Sequence, residues 1–441
     1  MKDQPTPLSP QGDHRAVGKK TVIIVAGEFP YPGPAGYLRY MFSFAHFLEQ
    51  RGHDVHIVLR DSKAPFIFSN LRRYFPSGRV RLYAPGILRL GRWYLIVQPV
   101  RVAKNIVSNF LSLFPARFIS SARRIIFRIL KGPTYGTNKK TGAPIYLDTS
   151  QHTNTPGELR FAAAVFNRVQ PEAVFFDTIS YEPYCSLLDD KVTKYVITHD
   201  VLHERHQTFI DRGYEIRPKR IDRQEESQLL NSFDAIIAIQ KEEAQSFAGM
   251  CADRDVVTVP YSVDLTEHNS ADETTHRCLF AGAVDLQNVD GLNWFLTDIW
   301  PTIIEHVPAA TLHVCGSVCQ EVRDPVNGVV YRGVVPDLRD EYSKAALVIV
   351  PLRVGSGLKI KIVEALSHGR VCVTTSIGTQ GLTQGDDKPY VIADEAPAFA
   401  AAVIGLLQDN TARKKLGSTA HRACLPFTAE AAFAPLIERG L

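Results

Sequence analysis

The stretch AALVIVPLRVGSGLKIKIVEAL, Ala345 to Leu366, decides the fold class. Its opening run, Ala345 to Val350, is apolar without a break, the pattern of a short strand buried on both faces of a parallel sheet. Gly355 and Gly357 then break the chain, and a helical pattern follows. A strand, a glycine-rich turn and a helix in that order place free backbone N–H groups and the positive end of the helix dipole at a strand's carboxyl end. Glycine there lets a ligand's oxygens approach the backbone closely. Gly357, Lys361, Glu364 and His368 share one helix face, and Ile362, Ala365 and Leu366 take the opposite one. A lysine neutralises phosphate and a carboxylate accepts two hydroxyl hydrogen bonds, so this face suits an anionic, hydroxyl-rich ligand such as a nucleotide sugar. An ordinary solvated pair of Lys361 and Glu364 would look the same in isolation, so the rest of the chain has to decide.

Working outward, the same strand–loop–helix rhythm recurs on both sides. Thr21 to Ala26 reads as a buried strand, Gly27 to Gly36 as a Gly/Pro loop, Tyr37 to Arg51 as a helix and His53 to Leu59 as the next strand. This is the opening βαβ unit of a doubly wound domain, and its loop lacks the GxGxxG spacing of a dinucleotide site. Further apolar runs follow at Ala173 to Phe176, Tyr195 to Thr198, Ala235 to Ile239 and Val256 to Val259. After a polar passage the alternation restarts with strands at Cys278 to Gly282, Thr311 to Cys315, Val329 to Arg332, Leu347 to Val350 and Val371 to Thr374, and a helix over Gly291 to His306. A chain of 441 residues exceeds one ordinary core. The expected organisation is a flexible tail over 1–19, a first domain over 20–262 with an insertion at about 62–147, a second domain over 263–426, and a terminal helix over 427–441 that packs back on the first domain.

Composition narrows the class. With 45% hydrophobic and 22% charged residues the chain is globular. The seven cysteines form no CxxC pair and sit within apolar runs, as reduced core thiols do. Neither a signal-peptide pattern nor a membrane-length apolar run is found, which predicts a cytoplasmic protein. Between Ser62 and Leu147 there are sixteen Lys or Arg and no Asp or Glu; against a total of +4, that leaves −12 for the remainder. Aromatic residues such as Phe75, Trp93, Tyr94 and Phe118 are interleaved with these cations, and Ala116 to Lys131 is imperfectly amphipathic. Such a mixture fits the inner face of an anionic membrane better than nucleic acid, for which no motif is present; a merely solvated basic face is the plain alternative. Asp253-Arg254-Asp255 has the form of a metal-binding DxD but falls in a polar turn before a strand, and no His/Cys set is present, so no metal or cofactor is expected.

With these landmarks placed, the chain resembles a retaining glycosyltransferase of GT-B architecture, similar to glycosyltransferase family 4, over most of residues 20–440 apart from the insertion. The motifs that carry the likeness are Leu279 to Gly282 with Asn288 to Phe295, Gly333 to Leu338, and Val350 to Ala365. The resemblance implies two Rossmann-like domains facing a cleft, a UDP- or GDP-sugar as donor substrate, and a glycan or lipid-linked acceptor. It assigns donor contacts to Gly333, Val335, Arg353, Gly355, Ser356, Gly357, Leu358, Lys359, Lys361 and Glu364. Glu364 would hold the ribose, the backbone at Gly333 and Val335 the base, and the loop with Lys359, Lys361 and Arg353 the diphosphate. His199, at a strand's carboxyl end, is the candidate at the reaction centre with Glu364 and Lys361, and Gly36 the candidate for acceptor contact; a His merely capping a strand end beside Asp200 is the alternative for His199. Two departures stand out: Ser356 occupies the first place of the family's Glu-x7-Glu pair, and Ala283 and Asn288 fall near the places of a diphosphate-bracing Arg and Lys. They leave open a degenerate, non-catalytic assembly subunit; a nucleotide-sugar 2-epimerase is the other alternative.

Overall fold

In the computed structural model of the chain the described residues are 18–32, 36–60, 68–97, 135–137, 141, 143–148, 150–266, 275–335, 337–382 and 388–441. The expected amphipathic segment from Ala116 to Lys131 lies outside them.

Two parallel sheets organise the molecule. The first has seven strands in the order Val80–Tyr83, Asp54–Leu59, Thr21–Ala26, Ala173–Phe176, Thr193–Ile197, Ala235–Ala238, Asp255–Thr258. The second has six, in the order Val329–Gly333, Thr311–Cys315, Arg277–Ala281, Leu347–Val350, Cys372–Thr374, Tyr390–Ile392. Numbered along the chain, each sheet runs 3-2-1-4-5-6, with one strand more in the first. This is the doubly wound Rossmann order, whose ligands collect beyond the carboxyl ends of strands one and four. Alternate side chains leave each strand on opposite faces, and both faces are buried: Val22 and Ile24 enter one core cluster, Ile23 and Val25 another. Leu347 and Ile349 likewise part from Val348 and Val350.

The basic stretch is less separate than its composition suggested, because Val80–Tyr83 within it supplies the first sheet's edge strand, pairing Val55 with Val80 and Ile57 with Leu82. Ile87–Leu90 and Trp93–Ile96 form an antiparallel hairpin beside it, joined by Phe68–Asn70. The helix expected over Gly291 to His306 is also corrected. It runs Leu286–Trp294, widens into a π turn at Phe295–Ile299, and continues as Trp300–His306. Pro301 is the physical reason, since it has no N–H to give the preceding turn and its ring crowds that turn's carbonyl. Trp300 N–H reaches back to the Phe295 carbonyl instead.

The chain returns to the first lobe at its end. The Ala429–Ile437 helix stacks Phe433 on Phe47 at 4.2 Å and sets it edge-on to Phe44 at 6.2 Å. Arg439 forks onto Asp255 at 2.8 Å for both contacts, which engages one carboxylate of the DxD triplet. One apolar cluster therefore runs from the first sheet through Val259 and Tyr261 into the second.

Candidate active site between the two lobes

In the second lobe, the chain leaving Leu347–Val350, strand four of that sheet, turns through Val354, Gly355, Ser356, Gly357 and Leu358 into the Ile360–Ser367 helix, with Lys359 as its N-cap. Gly355 and Gly357 have φ of +112° and +80°, which a side chain would strain. Gly357 has a second reason to be glycine: a Cβ there would stand 2.6 Å from the His199 carbonyl oxygen of the first lobe. Gly355 N–H donates to Thr208 Oγ1, also of the first lobe, at 3.0 Å. The loop is thus one place where the second lobe touches the first.

Lys359 is 6% exposed, and its ammonium curls onto its own loop, donating to Ser356 O at 2.5 Å, Gly357 O at 2.7 Å and Gln380 Oε1 at 3.3 Å. Burial pulls its pKa down to about 8, against the pull of Asp200 and Glu243. Lys361 donates to Asn288 Oδ1 and lies 4.9 Å from the Phe280 ring centre; burial lowers it to about 8 as well, opposed by Asp285 and Glu364. Asn288 is held for this contact, because its Nδ2 is spent on Asp285 Oδ2 at 2.8 Å and the Ala283 carbonyl at 3.0 Å. Two ammonium groups drawn largely out of water at one helix start suit an anionic ligand.

Glu364 is 8% exposed and bridges the lobes. Its carboxylate pairs with Arg39 of the Gly36–Gln50 helix at 2.5 Å and accepts from the hydroxyls of Tyr261 at 3.2 Å and Tyr342 at 3.3 Å. Burial pushes its pKa up, opposed by Arg39 and the two hydroxyls.

Across the seam, the first lobe contributes a dyad at its own switch point. His199 follows strand five and Asp177 follows strand four, and His199 Nε2 lies 2.7 Å from Asp177 Oδ1. Burial disfavours the imidazolium, but the hydrogen bond and charge of Asp177, with Asp200, outweigh it and hold the His199 pKa above its ordinary value. Tyr40 and Tyr37 stand edge-on to the imidazole at 5.7 and 6.4 Å.

The remaining sequence-predicted residues divide. Gly333, φ +68°, ends its strand with its carbonyl accepting from Gly316 N–H at 2.7 Å, and Val335 packs on the core just beyond. Leu358 is a core side chain, so only its backbone can face a ligand. Gly36 starts its helix against Ile360, where a Cβ would stand 2.8 Å from Ile360 Cδ1. Arg353 forks onto Asp290 at 2.7 and 3.0 Å, lies over Trp294, and lines a groove of about 550 Å³ that Tyr214 of the first lobe also lines. Its guanidinium is thus engaged by a carboxylate four residues before Trp294. Asp177, Arg39, Tyr261 and Tyr342 went unassigned in the sequence. Asp177 alone had a signal, a polar residue directly after a buried strand, as at His199.

Residues 275–409 match the family described as Glycosyl transferases group 1. A Klebsiella pneumoniae protein described as an uncharacterized 44.6 kDa protein in the cps region is 24% identical over 207 residues, 43% of this chain and 51% of that protein, so the match spans about half the length of that curated relative. Among solved structures, TarM superposes with a TM-score of 0.65 at 12% identity over 96% of this chain and 99% of its own. Sucrose-phosphate synthase from Thermosynechococcus elongatus gives 0.65 at 13% over 96% and 98%. The pneumococcal O-GlcNAc transferase GtfA, solved with UDP and GlcNAc, gives 0.58 at 10% over 96% and 98%. The fold is α/β of the GT-B kind, two Rossmann-like lobes facing a cleft.

Proposed function

We propose that the protein is a metal-independent glycosyltransferase that moves a sugar, with retention, from a UDP- or GDP-sugar to a glycan or lipid-linked acceptor in cell-envelope polysaccharide synthesis. The observation that carries this reading is the opposition of two switch points: the Gly355–Lys359 loop with Lys361 and Glu364 on one lobe, and the Asp177–His199 dyad on the other. The matched group 1 segment covers the first of these. The uridine nucleotide is favoured by the UDP bound in the GtfA structure and, with alpha-GlcNAc-glycerol, in an S. aureus TarM complex.

The chemistry follows from charge. When the bond between the sugar's anomeric carbon and the diphosphate breaks, negative charge grows on the leaving phosphate. Loop amides and the two lysines stabilise it, an effect worth several kcal/mol in a site closed to water. The leaving phosphate takes the acceptor's proton, and no side-chain nucleophile is needed. His199, whose imidazolium Asp177 favours, is the group placed to hydrogen-bond the sugar or developing charge. For this to happen Glu364 exchanges Arg39 for the ribose hydroxyls, and the lobes part and close about a hinge.

The Arg39 contact is also the observation that favours the second reading, a non-catalytic assembly subunit with its donor side permanently occupied. Thermal shift with UDP, GDP and their sugars separates the two. An enzyme or nucleotide binder melts higher with at least one of them, and no shift with any supports the assembly subunit. Product mass spectrometry with a donor and acceptor panel then identifies the transfer. Peripheral membrane contact belongs to the same proposal: the Ile87–Leu90 and Trp93–Ile96 hairpin exposes Leu88, Leu90 and Trp93 beside Arg89 and Arg92. Co-sedimentation with vesicles should require anionic lipid and fade with salt, and salt-independent or absent binding would contradict it.

A further inference from the structure

A group of buried oxygens on the lobe seam has no hydrogen-bond partner. Both carboxylate oxygens of Glu243, Gln240 Oε1, Asp200 Oδ1 and Ser356 Oγ are sealed from solvent and unpaired. Glu243 is 3% exposed and Gln240 7%. Native interiors rarely leave such groups unpaired, and each calls for a ligand, a water or a function. They converge on one place. A Cβ built on Gly357 would stand 3.7 Å from Glu243 Oε1 and 3.3 Å from Asp200 Cβ, Ser356 immediately precedes Gly357, and Gly381 passes directly against Gln240 Oε1.

The chemistry of the set selects the ligand. Three residues present acceptor oxygens and the fourth, a hydroxyl, works either way. A phosphate, which is itself all acceptor, is a poor match for these oxygens. A cation would be the usual match for two carboxylates, but the Lys359 ammonium already stands beside them. That ammonium is spent on the carbonyls of Ser356 and Gly357 and on Gln380, so it satisfies neither carboxylate by hydrogen bonding. Arg205 takes only the other oxygen of Asp200, at 2.8 Å. Gln240 lies close enough to temper the charge of Glu243 without completing a hydrogen bond. What remains is a neutral ring carrying several hydroxyl donors. Burial, with Asp200 adding to it, raises the Glu243 carboxyl to about 8, so near neutral pH it can donate to a ring oxygen as well as accept.

We propose that Glu243, Gln240 and Asp200 of the first lobe, with Ser356 of the second, form a hydroxyl-recognition subsite that takes the sugar half of a nucleotide sugar and pairs with it as the lobes close. This rests on the reading of the Gly355–Lys359 loop as the diphosphate site, since a sugar joined to a phosphate on that loop would lie against Gly357. The seam contacts involve side chains from both lobes, so the sugar is read only in the closed form.

The test is calorimetric titration of the full chain with UDP and GDP and with UDP-glucose, UDP-N-acetylglucosamine and GDP-mannose. Glu243→Ala and Gln240→Ala should weaken binding of a nucleotide sugar at least about tenfold while leaving the matching nucleoside diphosphate within about twofold. Glu243→Gln, which keeps one acceptor and one donor, should recover part of the loss. Should Glu243→Ala fail to fold, Gln240→Ala carries the comparison alone. Equal loss for sugar nucleotide and diphosphate, or no loss, overturns the subsite and leaves the proposed function standing. If wild-type protein binds no nucleotide at all, the functional reading falls and the subsite with it.

Discussion

The carboxylate of Glu364 is shared among Arg39, Tyr261 and Tyr342, so removing it has two separable effects. Glu364→Ala leaves a largely buried guanidinium and two hydroxyls without their acceptor, and chemical denaturation should register a loss of about 2–3 kcal/mol. The same substitution should cut donor turnover at least about tenfold, equivalent to about 1.4 kcal/mol at the transition state. Unchanged turnover in a folded variant would show that Glu364 only fastens the lobes. For His199, proton NMR titration should give a midpoint above the ordinary imidazole value of about 6.5. Asp177→Asn removes the charge that outweighs burial, and the midpoint should drop below that of wild type. The sign for stability follows: the Asp177–His199 pair contributes in full below the unfolded value and is lost as pH rises through the higher folded one. A midpoint unmoved by Asp177→Asn would contradict the dyad. At this scale the sequence disclosed residues whose neighbours along the chain betray them. Lys361 and Glu364 follow a glycine-broken loop and His199 follows a buried strand, whereas Arg39 is one cation in a helix and nothing nearby in sequence announces its partner 325 positions away. Arg353 shows the converse, a cation in the expected place captured by Asp290.

Strands were the most legible elements, since a buried parallel strand is an unbroken apolar run and Thr21–Ala26, Ala173–Phe176, Thr311–Cys315 and Leu347–Val350 have the ends their residues suggest. Short polar helices were harder. The Leu202–Ile210 and Lys241–Met250 helices carry His206 and Glu243 inward among exposed charges, so no apolar stripe marks them. The edge strand Val80–Tyr83 alternates buried and exposed residues inside a cationic stretch, and its composition pointed to an insertion. The terminal helix is tied to the first lobe chiefly by Phe433 against Phe44 and Phe47. Phe433→Ala should destabilise the protein by about 3 kcal/mol in denaturant unfolding, within the range for emptying a buried aromatic site. Arg439→Ala, which breaks a solvent-facing fork on Asp255, should cost under about 1 kcal/mol. Equal losses for the two would mean that charge rather than packing holds the helix.

At the scale of the whole molecule, two sheets of the same winding order turn their carboxyl edges toward each other, and the loop of the second inserts its glycines against the first. That arrangement leaves one seam lined by ammonium groups, a dyad and unpaired oxygens, and it is here that the proposed nucleotide sugar would meet partners for both its charges and its hydroxyls. The doubling was visible in the repeated strand–loop–helix rhythm, but which loops face each other depends on how the lobes dock, which no local pattern encodes. The most direct measurement is the crystal structure of the full chain with the nucleotide sugar that raises its melting temperature most. The diphosphate should lie within hydrogen-bond reach of the Gly355–Gly357 amides and Lys361, with the ribose on Glu364 in place of Arg39. A nucleotide seated elsewhere, or a Gly355–Lys359 loop untouched by the bound diphosphate, would contradict the proposed function.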